Sequence, residues 1–182
     1  LFSPHSMKEC GNNKKEDFYL YVWRCIPYKK FDLLVDAFNE NGKKLVLVTN
    51  TDNKLYRELK KKSKNNIEWK LNISRYDIVE LYWKTKAFLF PPEEDFWIVP
   101  IEAMACWTPV VAYNKWWALE TVKNKKTWLL FDEQTILSLN NIIEEFEKMS
   151  LDYKKIREHA ESFDKEIFKN KSLHISYMPA QT

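Results

Sequence analysis

Short apolar segments alternate with amphipathic segments along most of the chain. The apolar segments are FYLYV at 18–22, KLVLV at 44–48, NIEWKL at 66–71, AFLF at 87–90, PVVAY at 109–113 and TWLLF at 127–131. Their length predicts about six β-strands. Because these strands are nearly continuous in apolar character, we expect a parallel sheet that is covered on both faces.

Helical spacing predicts the layers that cover this sheet. The spacing is clearest within 28–41, where apolar residues recur at Phe31, Leu34, Val35 and Phe38. Ser74 and Asp77 form a capping-box-like start for a helix over 74–85. Further helices are predicted at 53–64, from Pro100 to Ala105, at 118–123, at 134–149 and at 152–169. The fold class is therefore α/β, a doubly wound, Rossmann-like sheet, whose ligands bind beyond the carboxyl ends of the strands.

Length and charge exclude several classes of protein. The 182 residues suffice for one domain, and a net charge of +3 is too balanced to indicate binding to nucleic acid or to an anionic membrane. Cys10, Cys25 and Cys106 lack the spacing of a zinc site or a disulfide framework, which favours a reducing cytosol. No apolar run approaches the roughly 20 residues of a membrane span. The start at Leu1 leaves open that a leader is missing.

Glycine is scarce in a chain that needs many turns. The sequence has 2 Gly and 8 Trp, although the ordinary glycine content of about 7% would give roughly 13.

Two groups of polar residues follow the first and the fourth strand. Arg24 and Lys29 lie after the first strand, and Pro27 suits the first turn of a helix there. A guanidinium, an ammonium and free N–H groups at a helix start can bind phosphate, although solvated surface charges are the alternative. After the fourth strand, Glu94 lies in a loop and Glu102 eight positions later in the predicted first turn of a helix.

The loop between these glutamates supplies backbone donors. We expect the amides of Phe96, Trp97 and Ile98 to converge on the same space as Glu94. Carboxylates accept hydrogen bonds from hydroxyl groups and amides donate to them, so the group suits a polyhydroxylated ligand. The alternative for Glu102 is that an acidic side chain simply stabilises the start of its helix.

Three segments resemble one known family of enzymes. They are FYLYV.R.IPYKKFDLLVDAFN from Phe18, EEDF.IVPIEAMAC.TPVVAYNK..ALETV from Glu93 and KT.LLFDE from Lys126. They look like the donor-binding domain of family 4 (group 1) glycosyltransferases of the two-domain GT-B type, and most like bacterial mannosyltransferases of surface-polysaccharide assembly. The resemblance extends over nearly the whole chain.

The resemblance implies a role for each residue of the site. Arg24 and Lys29 match the pair that binds the nucleotide diphosphate and stabilises the leaving phosphate. Glu94 matches the glutamate that faces the donor sugar, and Glu102 the one that holds the ribose hydroxyls. Trp23 would adjoin the phosphate, and Phe96, Trp97 and Ile98 match the loop whose backbone contacts the sugar. The base would lie near 70–74, and the turn at 49–52 departs from the family's glycine-rich pattern, which leaves its contact with the nucleotide open.

The family resemblance also sets expectations for the whole protein. Residues 1–169 form the donor domain, 170–182 an irregular tail, and the N-terminal acceptor domain is absent, so the fragment alone is expected to be inactive. The reaction retains anomeric configuration and transfers a hexose, for which mannose from GDP-mannose is the first guess. We expect the acceptor to be a glycan or a lipid-linked molecule. We expect the enzyme to need no cofactor and no metal, and to bind no nucleic acid. The enzyme would be cytoplasmic, at the inner face of the membrane.

Six tryptophans occupy positions that are glycine in the family pattern: Trp23, Trp97, Trp107, Trp116, Trp117 and Trp128. Glycine reaches positive φ and allows a ligand to approach the backbone, whereas tryptophan does neither without strain. Our hypothesis is that the natural protein carries glycine there, because some bacteria read the codon UGA as glycine; UGG codons would refute it. Trp69 is read as genuine and Trp83 as undecided. The alternatives are a non-catalytic domain whose exposed indoles bind sugars or nucleotides, and a decayed domain without a ligand.

Overall fold

The computed structural model describes residues 15–93, 98–114 and 128–161. Its six strands form one parallel sheet in the order β3-β2-β1-β4-β5-β6. The strands are β1 (Tyr19–Val22), β2 (Leu45–Thr49), β3 (Ile67–Leu71), β4 (Ala87–Phe90), β5 (Val110–Tyr113) and β6 (Trp128–Phe131). Strand order reverses between β1 and β4, as in the Rossmann fold. The predicted fold class is confirmed.

Helices connect the strands. They are α1 (Phe31–Asn41), α2 (Lys54–Lys62), α3 (Arg75–Lys84), α4 (Ile98–Ala105) and α5 (Ile136–Lys148), with a 3₁₀ turn at Pro27–Lys29 and helical residues at 153–161. The predicted helix at 118–123 and the tail at 170–182 lie outside the described residues. Within the ranges that the structure describes, no helix combines the length and the apolar content that crossing a bilayer requires.

The hydrophobic core lies on both faces of the sheet. Every residue of β2 and β4 is buried, and because successive strand residues point to opposite faces, both faces must be covered. Tyr19 of β1 packs edge-on against Phe38 of α1 and Phe146 of α5, with ring centroids 5.4 and 6.0 Å apart. The helix spacing that predicted α1 thus corresponds to its buried face.

The ends of the helices follow from local hydrogen bonding. Ser74 accepts a hydrogen bond from the Asp77 amide, and the Asp77 side chain accepts one from the Ser74 amide, so the predicted capping box is present. The prediction for α4 was wrong at its start: the helix begins at Ile98, two residues before Pro100, and Glu102 therefore lies in the second turn. The first four N–H groups of a helix lack intrahelical partners, so a proline is tolerated after the first residue.

Two tryptophans that the sequence set apart differ in how they fit the fold. Trp69 of β3 stacks on Phe31 with ring centroids 5.7 Å apart, and its indole N–H donates to Ser63 Oγ at 2.9 Å. Trp83 in α3 has a buried indole N–H without a hydrogen-bond partner among the described residues. The packing and hydrogen bond of Trp69 support its interpretation as genuine.

Trp107 occupies a backbone conformation that favours glycine. The Trp107 amide donates to the Met104 carbonyl at 2.9 Å and the Thr108 amide to the Ala103 carbonyl at 3.1 Å. These two bonds define a Schellman motif at the end of α4, in which Trp107 is the left-handed residue with φ of 60°. Trp23 is not among the described residues with positive φ, so the backbone need for glycine is present at 107 and not at 23.

We expect Trp107→Gly to be more stable than Trp107→Ala by about 1 kcal/mol, because both variants lose the indole but glycine alone is relaxed at positive φ. Urea unfolding of the two variants measures the difference. Equal stabilities would show that this position does not select glycine.

Charged residues connect α5 to the amino-terminal edge of the sheet. Glu147 accepts hydrogen bonds from Lys43, which precedes β2, from Lys86 at 2.7 Å and from the Tyr19 hydroxyl at 3.1 Å. Partial burial opposes ionisation of Glu147, but these hydrogen bonds outweigh it and lower its pKa to about 2. Hydrogen bonds thus connect α5 to the first residue of β1 and to residues that precede β2 and β4.

This ionised cluster makes stability depend on pH. A folded-state pKa of about 2, against an ordinary 4.5, stabilises the fold above pH 4.5, and the contribution is lost as pH falls towards 2. We expect Glu147→Gln to lower the free energy of unfolding at pH 7 by about 1 to 2 kcal/mol, after allowance for solvent screening. The difference in the free energy of unfolding between Glu147→Gln and the parent should become smaller as the pH falls from 4.5 to 3, and urea unfolding at each pH measures it. Glu144→Gln on the same helix is the control, and an unchanged difference across this range would contradict the assignment.

Candidate functional site

A cleft lies at the carboxyl edge of the sheet, over the ends of β1, β2 and β3 and beside α4, the helix that follows β4. Its first compartment has a volume of about 350 Å³. The lining combines polar groups with apolar walls: Val22, Trp23, Arg24, Val48, Thr49, Asn50, Asn72, Ile73, Ile78 and Val99. Ligands of doubly wound sheets bind outside the carboxyl ends of the strands, so this is the place where the predicted site is expected.

Lys29 lies against Trp23, one of the residues that line the cleft, and aromatic rings cover its ammonium. Its Nζ is 4.0 Å from the centroid of the Trp23 ring and 4.7 Å from that of Tyr28. Only 2% of Lys29 is exposed, and the Tyr21 hydroxyl donates to its carbonyl at 2.8 Å. Burial, with a smaller contribution from Arg24, lowers the pKa of Lys29 to about 8. The cation is therefore held in a place where an anion would stabilise it.

Arg24 is exposed and lines the cleft, and its loop is fixed by β2 and the residues that follow it. The Cys25 amide donates to Thr49 Oγ1 at 3.0 Å, and the Cys25 carbonyl accepts from Asn53 Nδ2 at 2.7 Å. Asn53 also caps α2 by accepting from the Tyr56 amide at 2.8 Å. The turn at 49–52 lacks glycine, but the residues at its two ends hold the loop that carries Arg24.

Glu102 lines a second compartment of about 370 Å³. The two compartments adjoin, because they share Val22, Asn50, Ile73, Ile78 and Val99. Glu102 accepts a hydrogen bond from Arg75 Nη2 at 3.2 Å. Burial raises the pKa of Glu102, and the nearby Arg75 guanidinium opposes that rise.

The structure thus brings together some of the residues predicted from sequence. Trp23, Arg24 and Glu102 line one continuous depression, and Lys29 lies against the Trp23 ring. Glu94, Phe96 and Trp97 lie outside the described residues, and so does the side chain of Ile98, which begins α4. Within the described ranges, no three His, Cys, Asp or Glu side chains are grouped as metal ligands.

Three polar residues of the cleft received no role of their own from sequence patterns, although Asn50 and Asn72 fall within the ranges 49–52 and 70–74 named above. Asn50 and Asn72 line it directly, and Arg75 pairs with Glu102. All three closely follow β2 or β3, so the rule that selected Arg24 after β1 would also have indicated them. The partner of Arg75 is 27 residues away and could not be read from spacing.

Comparison with known proteins identifies the family. Residues 3–163 match the family described as glycosyl transferases group 1, and the chain belongs to this family. An uncharacterized glycosyltransferase of Methanocaldococcus jannaschii is 32% identical over 107 residues, which are 56% of this chain and 30% of that protein.

Solved structures of glycosyltransferases share the fold. A glycosyltransferase of Rickettsia africae superposes with a TM-score of 0.74 at 20% identity, covering 96% of this chain and 52% of the other. HepE of Anabaena, in complex with UDP and glucose, superposes with a TM-score of 0.71 at 22% identity, covering 90% of this chain and 49% of HepE. Sucrose-phosphate synthase of Thermosynechococcus elongatus superposes with a TM-score of 0.72 at 23% identity, covering 88% of this chain and 45% of the synthase. The chain thus spans about half the length of these structures, and less than a third of the archaeal relative.

Proposed function

We propose that this chain is the donor-binding half of a retaining glycosyltransferase and holds a nucleotide-diphosphate sugar in the cleft at the carboxyl edge of the sheet. The observation that carries the proposal is the arrangement of Arg24, Lys29 and Glu102 around this cleft. Membership of the group 1 family supports sugar transfer. HepE, which shares the fold, was crystallised with UDP and glucose, and this supports a nucleotide sugar as the donor.

The basic pair would act on the diphosphate. As the bond between the anomeric carbon and the phosphate oxygen breaks, negative charge develops on the leaving diphosphate. The Arg24 guanidinium, on its fixed loop, and the Lys29 ammonium would stabilise that charge. With a pKa of about 8, Lys29 is mostly protonated at pH 7, and a bound anion would favour the protonated form further.

The carboxylates would bind the hydroxyl groups of the donor. Glu102 at the second compartment would accept hydrogen bonds from the ribose hydroxyls. Glu94 would face the donor sugar, with the backbone of Phe96, Trp97 and Ile98 beside it. Mannose from GDP-mannose stays the first candidate for the transferred hexose, and the reaction would need neither a cofactor nor a metal.

The remaining parts of the proposal concern the full-length enzyme. A second domain would bind the acceptor, a glycan or a lipid-linked sugar, so the present chain would bind donor but transfer little. Polysaccharide assembly in the cytoplasm, at the inner face of the membrane, is the setting we propose.

The alternative of a non-catalytic module with exposed indoles receives little support. Of the described tryptophans, Trp23, Trp69, Trp83 and Trp107 are half-buried and Trp128 is buried. An indole that stacks on a sugar ring or a base needs an open face.

Calorimetry with UDP and GDP tests the donor site. We expect at least one of them to bind, and Arg24→Gln to weaken binding about tenfold or more, because it removes a charge-assisted contact to the diphosphate. Lys29→Gln should have the same effect in the Trp23→Gly background, where the indole no longer covers the ammonium. Lys61→Gln, an exposed lysine of α2, should leave affinity unchanged. Failure of both nucleotides to bind would count decisively against the proposal.

Replacing Trp23 should open the phosphate position. The Trp23 ring covers the Lys29 ammonium at 4.0 Å, so we expect Trp23→Gly to raise nucleotide affinity about tenfold, the equivalent of one aromatic–cation contact. Trp23→Leu keeps apolar bulk over the ammonium and should show little gain. Circular dichroism confirms that each variant is folded before titration, and equal affinities of the two variants would refute the interpretation that Trp23 blocks the site.

A further inference from the structure

An ion pair bridges α3 and α4 at the second compartment of the cleft. Arg75 is the first residue of α3, and its Nη2 lies 3.2 Å from Glu102 Oε1 of α4. Both side chains line the compartment, whose other polar members are Asn50 and Tyr82. The Arg75 side chain is 62% exposed, whereas the Glu102 side chain is 21% exposed.

This difference in exposure indicates that the ionisation state of Glu102 depends on Arg75. An ion pair between two exposed side chains contributes little to the stability of a fold, because solvent screens it. Glu102, however, is partly buried, and burial alone favours its neutral acid form. The Arg75 charge favours the carboxylate, so Arg75 acts on the chemical state of Glu102 more than on the stability of the fold.

The backbone around Arg75 fixes the position from which it acts. The capping box of Ser74 and Asp77 holds the start of α3 immediately beside Arg75. An ionised carboxylate has about four acceptor sites on its two oxygens, so the bond to Arg75 leaves acceptor capacity for hydroxyl groups.

We propose that Arg75 is a positioning residue of the donor site, which keeps the Glu102 carboxylate ionised and oriented so that it accepts hydrogen bonds from the ribose diol of the nucleotide. This inference rests on the proposed function, because it assumes that the nucleotide binds in this cleft. It assigns Arg75 no contact with the ligand itself.

The test compares UDP with 2′,3′-dideoxy-UDP, which lacks the two ribose hydroxyls. The ratio of their dissociation constants isolates the contribution of the diol. In the parent chain the ratio should be about tenfold or more, as for hydrogen bonds to a charged acceptor. Arg75→Gln should reduce this ratio at least threefold, and Glu102→Gln should reduce it to a similar extent. Arg57→Gln is the matched control, since Arg57 is an exposed arginine whose Nε lies 2.8 Å from Asp52 and which does not line the cleft.

Each outcome of this comparison decides between roles. A reduced ratio in Arg75→Gln, with the control unchanged, supports the inference. An equal weakening of both ligands, with the ratio preserved, would mean that Arg75 binds the diphosphate directly and would overturn it. An unchanged ratio with unchanged affinities would leave Arg75 a surface residue and would also overturn it. Absence of UDP binding to the parent chain would overturn the donor site first and this inference with it.

A pH titration gives a second readout that a purely structural role would not move. Among the described residues, the Arg75 charge lowers the pKa of Glu102. Tyr82 also lines the compartment, but burial raises its pKa well above the usual range, so this phenol stays neutral. Without Arg75, the pKa of Glu102 should rise further. The UDP to dideoxy-UDP ratio should then decline at a higher pH in Arg75→Gln than in the parent, and coincident profiles would contradict the inference.

Discussion

The peptide group of Cys25 is held from both sides, and the candidate site depends on this contact. Its N–H donates to Thr49 Oγ1 at 3.0 Å and its carbonyl accepts from Asn53 Nδ2 at 2.7 Å. Arg24 lies immediately before this peptide, and the turn that carries Lys29 comes after it. A loop without such contacts would sample many conformations, and ordering it on binding would oppose affinity. The residues after β2 therefore preorganise the basic residues after β1.

Local patterns in the sequence predicted most of the fold, because the determinants of single elements are themselves local. Apolar runs located β1 to β6, the spacing of Phe31, Leu34, Val35 and Phe38 located α1, and the Ser74 to Asp77 spacing located the start of α3. The start of α4 was missed because Pro100 was taken as the first helical residue, whereas proline is tolerated throughout the first turn.

Non-local contacts were beyond the reach of such patterns. The contacts of Cys25 span 24 and 28 residues, and the pairing of Arg75 with Glu102 spans 27. Two of the six unusual tryptophans, Trp107 and Trp23, differ in how far a sequence pattern could predict their surroundings. The positive φ of Trp107 favours glycine and is a local feature, whereas the contact of the Trp23 ring with Lys29 is one that no helix or strand pattern reveals.

The surroundings favour the charged form of Glu147 at the amino edge of the sheet and disfavour the charged forms of Lys29 and Glu102 at the carboxyl edge. At the amino edge, Glu147 is surrounded by donors that favour its ionised form, so its charge is compensated within the chain and contributes to stability. At the carboxyl edge, burial disfavours the charged form of both Lys29 and Glu102. Burial that disfavours the charged form of a side chain is typical of functional sites, because a ligand can stabilise that charge. In the function that we propose, an anionic diphosphate would stabilise the Lys29 ammonium, and a ribose diol would donate hydrogen bonds to the Glu102 carboxylate, beside the contacts that both side chains already make within the chain.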